Sequence, residues 1–194
     1  MPCFSKSSLI LSEMGEIPVE DLRPGDMIVT RGNGLQPVKW VGARHVSARH
    51  LFDNSHLRPV LIKKDTYGNG LPVRDTILSP NTRLPVDGAE SGLFADVKDI
   101  MAPVKHLVDN MNVVQVEVTA ANFVHVMFDE HEVIAINGIW TEVFKVSERP
   151  GSTLGNAQRN EIFEIFPELK ATTERREARQ ERRLSVNRSR LINI

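Results

Sequence analysis

Cysteine is almost missing from this chain of 194 residues: there is one, Cys3. A single cysteine cannot close an internal disulfide, and it cannot build a cysteine-based zinc site. Long apolar runs are also missing. None approaches the roughly eighteen residues of a membrane span. The opening Met1-Pro2-Cys3-Phe4-Ser5-Lys6 has no basic region followed by an apolar stretch, so no signal peptide is recognisable. Neither sign of charge dominates. The formal net charge of -1 argues against a generic nucleic-acid binder. With 41% hydrophobic and 25% charged residues, the chain can bury a real core, which excludes global disorder. Its length is generous for one average domain and short for two.

The charge that is present is unevenly spread. Residues 147–194 carry ten Arg or Lys and seven Glu, whereas residues 1–146 carry fourteen basic and eighteen acidic residues. The shift falls near Ser147-Glu148-Arg149-Pro150-Gly151 and reads as a boundary between a body, 1–146, and a basic tail, 147–194. The body reads as β. Strands are expected at Leu9–Leu11, at Met27–Thr30 after the turn Arg23-Pro24-Gly25-Asp26, and at Pro37–Val41 after Gly32-Asn33-Gly34. Further strands are expected at Val60–Lys63, Thr76–Ser79, Val113–Thr119, Phe123–Phe128, Val133–Ile136 and Ile139–Phe144. Many short strands between turns predict a compact all-β fold. The tail reads as helix. Asn156 can cap a segment with Ile162, Ile165, Phe166 and Leu169 on one stripe, ending near Phe166 because Pro167 follows. A second helix is expected from Thr173 to Leu184. Its Arg175, Arg179, Arg182 and Arg183 form a stripe that can meet phosphates or an acidic protein face, or simply stay solvated. Like-charged i,i+4 pairs weaken that helix by about a few tenths of a kcal/mol each. It therefore docks on something or frays.

Cys3 is followed by Leu9-Ile10-Leu11-Ser12 and then by Gly15-Glu16-Ile17-Pro18-Val19-Glu20-Asp21-Leu22-Arg23-Pro24-Gly25-Asp26. This stretch resembles the opening block of Hint domains, the hedgehog/intein autoprocessing superfamily. Thr76-Ile77-Leu78-Ser79-Pro80-Asn81-Thr82 resembles the second block. Phe123-Val124-His125-Val126 and His131 to Glu142 resemble the strands that close the domain. The Cys-Phe start and the Asn-Gly-x-Trp-Thr-Glu end resemble a bacterial subgroup whose tails carry a stretch like Ile162 to Leu169. The resemblance spans residues 3–146 and, more loosely, the tail.

It implies a Hint-type twisted β fold that wraps the first residue into its centre. It also implies that Cys3 is a nucleophile whose thiol attacks the preceding carbonyl and turns a peptide into a thioester. Such a step needs a proton for the departing amine and donors for the oxyanion. The family draws on a Thr-x-x-His motif. Ser79 falls on its Thr and Thr82 on its His. Thr cannot act as an imidazole near neutral pH, and losing that group costs on the order of two to four powers of ten in rate. The expectation is therefore an impaired autoprotease, with His125 as either a compensating acid or a core histidine. By strand alternation His125 faces the same way as Phe123 and Met127.

No Asn followed by Cys, Ser or Thr closes the body, so splicing is not expected, and Asn137-Gly138 reads as a turn in preference to a cleavage point. Nothing in the tail supports a sterol-binding addition. Only Met1 and Pro2 stand before Cys3. The expected partner is thus the chain's own upstream segment in a longer precursor, if one exists; otherwise the domain processes nothing. The alternative functions are a non-catalytic Hint module serving folding, secretion or interaction, and an anion- or partner-binding module acting through the Arg stripe. No cofactor and no metal are expected. His45, His50 and His56 lack a recognised ligand spacing, His131-Glu132 lacks a second His at i+4, and His106 reads as structural. Asp129, Glu130 and Glu132 read as a solvated acidic edge or, alternatively, with Asp129 near the nucleophile. Trp40 and Trp140 read as strand residues that order the core. A cytoplasmic location and secretion without a signal peptide both stay open.

Overall fold

Short runs of β-branched residues between turn residues become a series of strands. The computed structural model describes residues 3–86, 100–143 and 156–169. β1 (Phe4–Ser5), β2 (Leu9–Ser12) and β3 (Gly15–Pro18) come first, then β4 (Met27–Thr30) and β5 (Gly34–Pro37). β6 (Trp40–Ser47) runs directly into helix α1 (Ala48–Asp53). β7 (Val60–Ile62), β8 (Thr76–Leu78), β9 (Arg83–Pro85), β10 (Met101–Pro103) and β11 (Val113–Gln115) follow. β12 (Ala120–Met127), β13 (Glu132–Ile136) and β14 (Ile139–Val143) close the body, and α2 (Asn156–Ile165) lies in the tail.

Among the described residues all strand pairings are antiparallel. One sheet has the order β11-β7-β8-β1-β12-β6; the other has the order β14-β13-β2-β4-β5, with β3 on β2, and β9 pairs with β10. The β13–β14 turn is Asn137-Gly138, with φ of 48° and 85°. That is the geometry of a two-residue mirror-image turn, which Asn-Gly adopts readily. A Cβ on Gly138 would stand 2.6 Å from Leu71 Cδ2, so the turn also needs a bare backbone there.

Two apolar clusters lie on opposite faces of β12. The larger gathers Phe4, Ile10, Ile28, Leu78, Val124, Val126, Ile134 and Ile136. The smaller gathers Cys3, Val46, Leu51, Leu57, Ala121, Phe123, Ile165 and Phe166. Alternation along β12 explains the division, because successive side chains point to opposite faces.

Several element boundaries differ from expectation. The hairpin partner of Met27–Thr30 is Gly34–Pro37, and Trp40 begins a separate eight-residue strand. The Val113–Thr119 strand ends at Gln115. There the Val116 N–H donates to the Pro59 carbonyl at 3.0 Å, but Pro59 has no N–H to return, so the ladder stops. Helix α1 was not foreseen. Its cap is Ser47, whose hydroxyl accepts from the His50 N–H at 3.3 Å. Glu132 is not a solvated edge residue. It is 4% exposed, and its carboxylate receives Asn33 Nδ2 at 3.0 and 3.1 Å, which ties down the β4–β5 loop. The helix expected from Asn156 ends at Ile165, just before Pro167. The segment from Thr173 to Leu184, with its Arg stripe, lies outside the described residues. Among the described residues no helix is long and apolar enough to cross a membrane.

Candidate active site

Cys3 stands at the start of β1 and is fully buried. Two hydrogen bonds clamp its backbone to one residue. The Cys3 N–H donates to Ser79 Oγ at 3.1 Å, and the Ser79 N–H donates to the Cys3 carbonyl at 2.9 Å. Ser79 is able to do this because β8, which precedes it, pairs with β1 at Phe4↔Leu78. The chain then turns sharply, the Thr82 N–H donating to the Ser79 carbonyl at 3.0 Å. That turn brings the Thr82 and Ser79 hydroxyls to 3.0 Å from each other. Both residues are fully buried, and Asn81 between them is nearly so. The i,i+3 spacing read in the sequence is thus a pair of hydroxyls stacked behind the Cys3 nitrogen.

His125 approaches from the other side. β12 pairs with β1 as Phe4↔Val124 and Ser5↔Phe123, and one further step of that register sets His125 opposite Cys3. Directly opposed residues share a sheet face. The imidazole is fully buried, with Trp40 at 6.0 Å and Phe166 at 6.2 Å between ring centroids. Trp40 and Phe166 themselves meet edge to face at 5.8 Å. Gly42, paired with His125 across β12–β6, makes room for this. The Trp40 ring lies where any Gly42 Cβ would stand. Cys3, Ser79, Thr82 and His125 are therefore brought into one neighbourhood.

The sequence did not point to two residues of this neighbourhood. Phe166 covers the cluster from the tail. Glu161, one helical turn before Ile165, is 2% exposed and lies against Asn81 and Ser79. A carboxyl group inside an otherwise apolar helix stripe was the available signal, but charged residues on short helices ordinarily face water. Burial pushes the Glu161 carboxyl above the usual carboxylate range, against the positive charge of the chain's amino terminus and hydrogen bonding from Asn81 and Ser79. Burial likewise pushes the Cys3 thiol far above its ordinary range; the neighbouring Glu161 adds to this, and the Ser79 hydroxyl opposes it. The thiol is therefore held protonated in a dry pocket.

The other candidates lie elsewhere. His45 Nδ1 and Asn122 Oδ1 are 2.9 Å apart at the surface, and His56 meets Glu164 at 2.7 Å. His50 and His106 are exposed. Asp129 is exposed and pairs with Lys39 at 2.8 Å. Among the described residues, no three His, Cys, Asp or Glu side chains are placed to hold a metal ion. Trp140 is buried, as a core residue should be. Asn137 is a keystone of its turn: its Oδ1 accepts from the Leu9 N–H at 2.8 Å, and its Nδ2 donates to Thr76 Oγ1 at 2.8 Å.

A family model described as the Hint domain matches residues 2–148. Among solved structures, the chain is similar to the gp41-1 intein, with 12% identity, 73% of this chain and 98% of that chain covered, and a TM-score of 0.44. It is also similar to a bacterial intein-like domain from Clostridium thermocellum, with 10% identity, 75% and 99% coverage, and a TM-score of 0.46. A DnaB intein from Synechocystis gives 12% identity, 74% and 99% coverage, and a TM-score of 0.46. A comparison with curated proteins finds no match. With its all-β body matched from residue 2 to residue 148, the chain belongs to the Hint-domain family, whose fold is that of domains of the self-processing type.

Proposed function

We propose that this chain is a cysteine-dependent self-processing domain that opens the peptide bond preceding Cys3. The Cys3 sulfur adds to the carbonyl carbon of the preceding residue. The C–S bond forms, the C–N bond breaks, and the thiol proton ends on the departing Cys3 nitrogen. The product is a thioester that an added thiol can release. The observation that carries this reading is the double clamp between Cys3 and Ser79. The hydroxyl at 3.1 Å from the Cys3 nitrogen sits where a proton must be delivered as the C–N bond breaks. Thr82 braces that hydroxyl at 3.0 Å. It supplies no imidazole, which makes the step slower than in a domain with His at that place. His125, facing Cys3 across β12, is the second candidate acid. The reaction stops at N-terminal cleavage: the Asn137 amide is engaged at both ends and does not attack its own backbone. In this scheme residues 1–146 hold the nucleophile and its hydroxyls, and residues 147–194 form a tail that covers them.

Full burial of the thiol favours one other reading, a Hint module that folds and binds but does not cleave. A stable reporter fused upstream of Cys3 separates the two. With dithiothreitol or hydroxylamine, the mass of the intact chain is expected to fall as the reporter is released, and Cys3→Ala is expected to stay whole. Equal persistence of both chains would leave the non-catalytic module.

A further inference from the structure

Helix α2 is held on the body at several points. Ile165 and Phe166 enter the Cys3 cluster. Arg44 Nε donates to the Ile165 carbonyl at 2.8 Å, Arg44 also reaches Glu168 at 3.4 Å, and His56 meets Glu164 at 2.7 Å. These anchors fix the helix face that carries Glu161. Glu164 and Glu168 make their ion pairs at the surface, whereas Glu161 turns to the interior. Glu161 is 2% exposed, beside Ser79 and Asn81. Ser79 in turn touches the Cys3 nitrogen.

We propose that Glu161 relays a proton through the Ser79 hydroxyl to the Cys3 nitrogen, in place of the imidazole that Thr82 does not supply; this rests on the thioester reading above. As the C–S bond forms and the C–N bond breaks, Ser79 gives its proton to the nitrogen and is reprotonated by the Glu161 carboxyl. The carboxylate recovers the proton that the thiol loses. Net transfer is from sulfur to nitrogen, and Glu161 ends as it began. A neutral carboxylic acid can donate, and an ionised one cannot. Burial favours the neutral form here, and the neutral form also spares the thiol an adjacent negative charge. A charged carboxylate would be costly to hold in so dry a place. Glu161 acts through Ser79, so it is a positioning and relay residue whose signature is a pH dependence. The other titratable or charged groups facing it are Cys3, His125 on β12, Arg44 on β6 and the chain's amino terminus, whose charge lowers the carboxyl and is replaced by a peptide bond once a reporter is fused upstream.

The test uses the full chain with the upstream reporter, following thiol-induced release against pH for the unaltered chain, Glu161→Gln, Glu161→Asp and Cys3→Ala. Glu161→Gln is expected to slow release by about 100-fold or more, with Glu161→Asp recovering part of the rate. The unaltered chain is expected to lose rate as pH rises through the raised carboxyl range, and Glu161→Gln to lose that decline. Release by Glu161→Gln at the native rate and with the native pH profile overturns the relay and leaves the thioester reading intact. No release from the unaltered chain overturns both. Thermal unfolding checks that the variants fold. If Glu161→Gln does not, the unaltered chain decides, because a rate that only climbs with pH sinks the relay.

Discussion

The two faces of β12 bury different kinds of chemistry. On one face Val124 and Val126 join Phe4, Ile10, Ile134 and Ile136 in a cluster of apolar side chains. On the other, Phe123 and His125 belong to a small cluster that also holds a thiol, with two hydroxyls and a carboxyl group close by. The first face is insensitive to pH and needs only shape. On the second, the Cys3 backbone and the Ser79 and Thr82 hydroxyls hydrogen-bond one another, and a piece of the tail excludes water. The lesson is a division of labour. Apolar packing alone fills the large cluster, and the proposed chemistry falls where polar groups have been taken out of water at some cost.

That division can be broken experimentally. The largest effect on global unfolding is expected from Ile136→Ala, in the large cluster: about 2–5 kcal/mol in denaturant titration. Phe166→Ala also removes about 3–5 kcal/mol of packing, but the loss is expected to fall on tail docking. Cys3 should then react with a thiol reagent while the main unfolding transition stays in place. If reactivity and global unfolding move together, the two clusters are one cooperative unit and the comparison fails. Gly42→Ala is expected to cost about 1–3 kcal/mol by forcing the Trp40 ring off the strand. Its marker is a change in tryptophan emission, with Trp140 unaffected. The smallest effect is a pH dependence of docking. The Glu161 carboxyl is raised in the folded state, so its contribution is complete below the ordinary carboxylate range. It is lost as pH rises through the raised value. Hydrogen exchange of the α2 amides, corrected for intrinsic rates, should show protection falling over that window. Protection that increases with pH would contradict the sign.

Much of the site was legible before any tertiary information. Cys3, Ser79, Thr82 and His125 were each named from motif and alternation, and all four fall in one neighbourhood. Asn137-Gly138 was read as a turn and is one. Glu161 was not legible. Its place beside an apolar stripe is a weak sign, because what turns this carboxyl inward is Ser79 and Asn81, far away in the chain. The Glu132 carboxylate was misread for the same reason, since its partner Asn33 stands 99 residues away. The β6 boundary was missed because Pro37 ends one strand and Trp40 starts another, and the alternating Val38-Lys39-Trp40 hides the break.

The sequence by itself determined the β class, the hairpin turns and the identity of the sole cysteine. Each of these depends on a short period or a local backbone preference, which a few neighbouring residues suffice to set. Only the tertiary structure decided what stands next to that cysteine. Cys3 and Ser79 are 76 residues apart in the chain, and Glu161 arrives from the tail. Burial and pKa depend on which distant surfaces exclude water, and no local pattern carries that information.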